Sequence, residues 1–81
     1  MKITVQFFSY FKELAGCERF TATLAPGGTV GDLMDVIYRD FPKMERMRKS
    51  TLVAVGVEYQ DRSYVLNEGD VVSLFPPVQG G

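Results

Sequence analysis

The stretch Leu74-Phe75-Pro76-Pro77-Val78-Gln79-Gly80-Gly81 holds the residues best suited to chemistry. Proline locks φ and carries no amide donor, so Pro76 and Pro77 cannot extend a sheet ladder and favour an extended exit. Gly80 and Gly81 then strip the chain of side chains and leave a thin end with a free carboxylate. From Pro77 to Gly81, at ~3.3 Å per residue, that end reaches on the order of 16 Å beyond the fold, enough to thread a narrow active site of another protein. A carboxylate is a poor electrophile until its oxygen is turned into a leaving group, which adenylation by ATP does. Missing side chains let an enzyme close around the reacting carbon, at an entropy cost in ordering glycine. The expected chemistry is therefore carried on Gly81, with Gly80 as its slim neighbour; the competing reading is an ordinary frayed terminus.

Nothing upstream competes for that role. The chain has no histidine and one cysteine, which removes imidazole-based triads and the commonest general base. It also removes any four-ligand zinc site made only of Cys and His. Cys17 sits at a predicted turn without clear thiolate stabilisation and is assigned no role. Glu13, Glu45 and Glu58 are scattered and suggest no paired-carboxylate site. The basic run Lys43 to Lys49 reads first as a solvated segment, with an acidic partner surface as the alternative.

The totals describe one small domain: 81 residues, 46% hydrophobic, net charge −1. That balance argues against disorder and against a dedicated nucleic-acid binder. No apolar run is long enough to span a membrane and no signal-like segment opens the chain, and a single cysteine fits the cytoplasm.

The elements that must present the tail follow from periodicity. Ile3, Val5 and Phe7 alternate with Lys2, Thr4 and Gln6 as a half-buried strand. Tyr10, Phe11 and Leu14 suggest a helical turn closed by Gly16. Glu18 to Leu24 alternates again, with Phe20, Ala22 and Leu24 inward, and pairs antiparallel with the first strand. Thr29 is an N-cap with Asp32 completing a capping box. Val30, Leu33, Met34, Ile37, Tyr38 and Phe41 form one helical face that Pro42 ends. Leu52 to Gly56 reads as a central strand buried on both faces, Glu58 to Arg62 as a turn, and Ser63 to Leu66 as a short edge strand. Asn67-Glu68-Gly69-Asp70 is a turn, and Val71 to Phe75 the last strand. One main helix packed across a four- to five-stranded mixed sheet is an α+β arrangement of the β-grasp type, expected as a single domain over 1–81 with a flexible tail at 76–81.

Phe8 falls out of phase with the buried residues of its strand. If Val72 and Leu74 face the helix, Phe75 shares the opposite face with Phe8, and Tyr59 lies in a polar segment nearby. Several aromatics on one sheet face make a partner-binding patch, unless they cap a sheet end against their own loops.

Phe-Phe-Ser-Tyr-Phe-Lys-Glu-Leu-Ala-Gly near the start, Leu-Asn-Glu-Gly-Asp-Val-Val before the last strand, and Phe-Pro-Pro-Val-Gln-Gly-Gly at the end resemble the small subunits of molybdopterin synthase, MoaD-like sulfur carriers of the ubiquitin-like fold. The resemblance covers essentially the whole chain. It implies adenylation of Gly81 by an adenylyltransferase related to ubiquitin-activating enzymes, which uses ATP while this chain binds no cofactor. A persulfide donor then makes a thiocarboxylate. The tail enters the large synthase subunit, within a heterotetramer, and gives sulfur to the pterin precursor, so the chain is the sulfur-donating subunit of a sulfurtransferase and no enzyme alone. The resemblance also implies Phe8, Tyr59, Phe75, Pro76, Pro77 and Val78 as partner-binding residues, while the charge balance and hydropathy leave neither nucleic acid nor membrane as an expected partner. Gly56 departs from the Asn that the family often has there. A carrier for thiamine, cysteine or transfer-RNA thiolation, a ubiquitin-like modifier, and a non-covalent binding module remain the alternatives.

Overall fold

Alternation at Ile3, Val5 and Phe7 makes β1 (Lys2–Phe7), with those three side chains buried and their neighbours turned outward. The chain then enters a short helix, α1 (Tyr10–Ala15), which Gly16 closes in a left-handed conformation at φ 76°. β2 (Arg19–Thr23) returns antiparallel beside β1. The computed structural model describes residues 1–77.

The capping box at the main helix, α2 (Val30–Asp40), forms as its residues suggest. Thr29 Oγ1 accepts from the Asp32 amide at 3.2 Å, and Asp32 Oδ2 accepts from the Thr29 amide at 2.9 Å. Val30, Leu33, Met34, Ile37 and Tyr38 are buried. Each Leu- or Ile-sized side chain so buried stabilises the fold by about 1.5–3 kcal/mol. The chain turns at Phe41 into a 3-10 helix, Pro42–Met47, whose Met44 is fully buried. Phe41 fixes that corner edge-on against Phe7 and Phe20, at 5.2 and 5.0 Å between ring centres.

The remaining strands are β3 (Leu52–Val55), β4 (Glu58–Tyr59) and β5 (Val71–Phe75). The five strands form one mixed sheet in the order β2-β1-β5-β3-β4. β5 runs parallel to β1 and antiparallel to β3. The strand that leads into the tail is therefore the central one. Val72 and Leu74 are buried with α2 in a single core, and Val71, Ser73 and Phe75 alternate onto the opposite face. The sheet, its main helix and the topology are those of the ubiquitin-like β-grasp fold.

Three local expectations are corrected. β3 is not buried on both faces along its length: Leu52 is exposed on the face away from α2 and Val53 is half-buried near the sheet's margin, where only two-residue β4 lies outside the strand. Glu58-Tyr59, expected within a turn, is that edge strand, and the turn lies earlier. It is a two-residue hairpin with Gly56 at φ 61° and Val57 beyond it, and Asn also tolerates this left-handed conformation.

Ser63 to Leu66 is not an edge strand; it makes only an isolated bridge, Val65 to Thr29. The segment caps α2 instead. The carbonyls of Tyr64 and Arg62 accept from the Val30 and Gly31 amides, each at 2.9 Å, and the Leu66 amide donates to Gly28 O at 2.9 Å. The first amides of a helix have no intrahelical acceptor, and these carbonyls supply it, which holds the loop against the start of α2.

Candidate docking face and tail exit

The face of the sheet away from α2 gathers the aromatics. Register places Leu52 opposite Phe75, Ala54 opposite both Ser73 and Tyr59, and Gln6 opposite Ser73. Phe8 follows β1 directly, and its amide donates to Leu74 O at 3.2 Å. Its ring stacks on Phe75 with 4.7 Å between centroids and 14° between planes. Tyr59 meets Phe75 edge-on at 6.5 Å and 75°. Phe8 is 37% exposed and Tyr59 68%. Phe75 is half-buried between them, and half-buried Pro76 and Pro77 follow at once. The aromatics therefore sit at the root of the tail, with open surface above them.

Alternation along β1 turns Phe8 outward, and Ser9 ends the strand directly after it. Ser9 has φ 55° and ψ −132°, and the Phe11 amide closes the turn on Phe8 O at 3.1 Å. This is the first central position of a II′-like turn, where glycine is normal and a side chain is strained. The strain was not legible in a lone serine.

Leu52 belongs to the same face, 37% exposed and paired with Phe75. It was missed because a continuous apolar run gives no phase; alternation counted back from Phe75 across the register would have found it. Ser73 is the one buried polar residue in the described core, its Oγ 3.5 Å from Gln6 Oε1 on this face.

Gly80, Gly81 and Val78 lie outside the described residues. Cys17 is half-buried beside a shallow depression lined also by Phe8, Lys12 and Arg19. Among the described residues, no group of three or more His, Cys, Asp or Glu is placed to hold a metal. No helix there is long and apolar enough to cross a membrane.

At the outer edge of the sheet a groove of about 650 Å³ runs past Leu52, Val53 and Tyr59 toward Arg48, Lys49 and Arg62. Arg48 is 3.4 Å from Glu45 and lies over the Tyr38 ring at 5.2 Å. Arg62 is 3.4 Å from Asp35. Asp61 lines the same groove and accepts from the Ser63 hydroxyl at 2.6 Å and the Ser63 amide at 2.9 Å. Those donors hold its carboxyl below the usual carboxylate range.

This arrangement, a β-grasp scaffold with aromatics around the root of a proline-led tail, defines the class of small ubiquitin-like carriers and modifiers. The ThiS family profile matches residues 5–81. The molybdopterin synthase sulfur carrier subunit of Chlamydomonas reinhardtii is 33% identical over 84 residues, covering 100% of both chains. Among solved structures, SAMP1 (small archaeal modifier protein 1) from Haloferax volcanii superposes with a TM-score of 0.90 at 26% identity, over 100% of both chains. The complex of subunits 1 and 2 of the molybdopterin-converting factor from Helicobacter pylori matches with a TM-score of 0.75 at 27% identity, again over 100% of both chains. The chain belongs to the ThiS family and is a sulfur carrier of the ThiS/MoaD type.

Proposed function

We propose that this carrier serves molybdopterin synthesis as the small, sulfur-donating subunit of molybdopterin synthase. The observation that carries the reading is the match, over the full length of both chains, to a molybdopterin synthase sulfur carrier subunit. In this reading a ubiquitin-activating-like adenylyltransferase uses ATP to adenylate the Gly81 carboxylate, and AMP becomes the leaving group. The terminal sulfur of a persulfide donor displaces AMP to form an acyl disulfide. A thiol then reduces that S–S bond, becoming a disulfide with the donor and leaving Gly81 as a thiocarboxylate. The carrier binds no cofactor itself and works in the cytoplasm.

The scaffold's own part is presentation. Pro76 and Pro77 end the central strand, and Val78, Gly80 and Gly81 enter the active site of the large synthase subunit, where sulfur passes to the pterin precursor. Phe8, Tyr59 and Phe75 dock on that subunit around the tail's root, and a heterotetramer with it is the expected assembly. The Helicobacter pylori complex of subunits 1 and 2 supports the choice of partner.

Intact-mass analysis of the chain purified from its own host tests the carrier chemistry. The expected result is a form heavier by the exchange of one oxygen for sulfur, absent from Gly81→Ala. Sulfur transfer to the pterin precursor, with the large subunit added, then tests the pathway. The likeness to SAMP1 favours one second reading, a protein modifier joined to lysines through Gly81. Isopeptide-linked adducts without any thiocarboxylate would establish that reading instead.

A further inference from the structure

The basic run singled out in the sequence does not act as one patch. Lys43 and Arg46 line a separate depression near Tyr10 and Leu14. Arg48 and Lys49 turn the other way and meet Arg62, from a distant part of the chain, in the groove beside Leu52 and Tyr59. Three cations face one carboxylate there, in a chain whose net charge is −1. Arg48 and Arg62 are each shared with an acidic neighbour at 3.4 Å, whereas no ion pair involves Lys49 among the described residues.

The same groove exposes a strand edge. β4 pairs only with Ala54 and Val55, so the upper part of β3 has no strand outside it. Gln60 supplies a single bond there, its amide donating to Val53 O at 3.0 Å. A strand edge left open is a template for an extended chain, whose main chain gives affinity and whose side chains give selectivity. Tyr59 joins this edge to the aromatic face, since it lines the groove and touches Phe75.

We infer that the groove between β3 and residues 48–49 and 60–62 takes an acidic, extended segment of the protein that receives the tail. The segment's carboxylates meet Lys49, Arg48 and Arg62, and its backbone lies along the outer edge of β3 beside Val53, since the backbone of Leu52 faces β5. An apolar side chain of the segment packs on Leu52 and Tyr59. Cations at an interface rim raise association rate and selectivity, and salt screens them. The groove thus sets which protein docks and in what register, while the aromatic face supplies the contact area. This inference rests on the reading proposed above that the tail enters a large synthase subunit, and not on the aromatic contacts themselves.

The test uses the intact chain and the large synthase subunit of the same host, with affinity measured at low and at moderate salt. Lys49→Glu is expected to weaken binding about tenfold at low salt and to flatten its salt dependence, with Lys49→Arg near wild type. Carbodiimide, which joins an amine directly to a carboxylate, is expected to link Lys49 to an Asp- or Glu-rich stretch of the large subunit. Unchanged affinity and salt dependence in Lys49→Glu, with no Lys49 cross-link while other lysines react, overturns the groove. Phe75→Ala separates the two readings. If it weakens binding while Lys49→Glu does not, the docking face stands and the groove falls; if only Lys49→Glu weakens binding, the groove stands and the aromatic docking reading falls. Perturbation of the groove amides by inorganic phosphate as strongly as by the large subunit would also overturn it, in favour of a small anion. Lys49 is exposed, so its variants are expected to melt with the wild type.

Discussion

Phe8 stacks on Phe75 with 4.7 Å between ring centroids, joining the end of the first strand to the end of the last at the point where the tail departs. Parallel pairing of β1 and β5 brings the two ends together, with Phe7 opposite Leu74. Neither ring is buried, so the pair adds little to the core. Its geometry serves the surface: two aromatic planes and the edge of Tyr59 make a preformed apolar seat beside Pro76 and Pro77.

If that seat docks the large subunit, Phe75→Ala should weaken binding at least 30-fold, the loss typical of an aromatic at the centre of an interface at about 2 kcal/mol or more. Phe8→Ala should cost less, because part of its effect runs through Phe75. A double-mutant cycle by calorimetry should give a coupling of about 0.5–1.5 kcal/mol, the range for an aromatic pair. Additive losses, or none, would count against the seat.

Ser9→Gly should stabilise the fold. Serine at φ 55° and ψ −132° is strained by about 1–3 kcal/mol, and glycine removes that while losing more backbone entropy on folding. A net gain of about 1 kcal/mol is expected, raising Tm by roughly 4–8 °C in a domain of this size. If the strain also holds Phe8 on Phe75, Ser9→Gly should weaken docking while it stabilises the chain. Calorimetric melting and binding to the large subunit, measured on one preparation, would read both.

How far the sequence leads depends on the range of the forces involved. β1, α2 and β5 follow from periodic burial and a local capping box, which the chain writes within a few residues. The shared face of Phe8 and Phe75 was equally legible, because alternation from Val72 and Leu74 settles it. The segment from Glu58 to Leu66 was misread because its partners are remote: Tyr64 and Arg62 carbonyls cap a helix more than 30 residues earlier. Two-residue β4 carries no period at all, and Val53 looked as apolar as a doubly buried residue although it lies half-buried beyond the end of β4, with one bond from Gln60 at its edge. The tail's composition pointed to its chemistry, yet Gly80 and Gly81 lie beyond the described residues, so that part rests on the sequence and on the family.

Met44 shows the same limit inside the basic run. Its neighbours are charged, but the 3-10 helix turns it fully into the core beneath α2. Met44→Ala should therefore cost about 2–5 kcal/mol, through lost burial and a cavity. Lys43→Ala and Arg46→Ala, on the exposed side, should each stay within about 0.5 kcal/mol of wild type. Urea denaturation separates these outcomes. A mild Met44→Ala would mean that the corner at Phe41 and Pro42 can collapse to fill the space.

The last prediction concerns pH. Tyr38 is buried on α2, and desolvation pushes its phenol above the ordinary value of 10.0, with Thr51, Arg62 and Arg48 acting in the opposite direction. The unfolded chain therefore releases this proton first as pH rises. Below the unfolded value both states are protonated and the contribution to stability is intact. From about pH 10 upward the unfolded state gains by ionising while the folded state does not, and the contribution is lost as pH climbs through the folded value. Tyr38→Phe keeps the ring in the core and under Arg48 but has no proton to lose. Urea midpoints between pH 8 and pH 11 should fall more steeply for the wild type than for Tyr38→Phe. Equal slopes would mean that the cations Arg48 and Arg62 offset the burial in full.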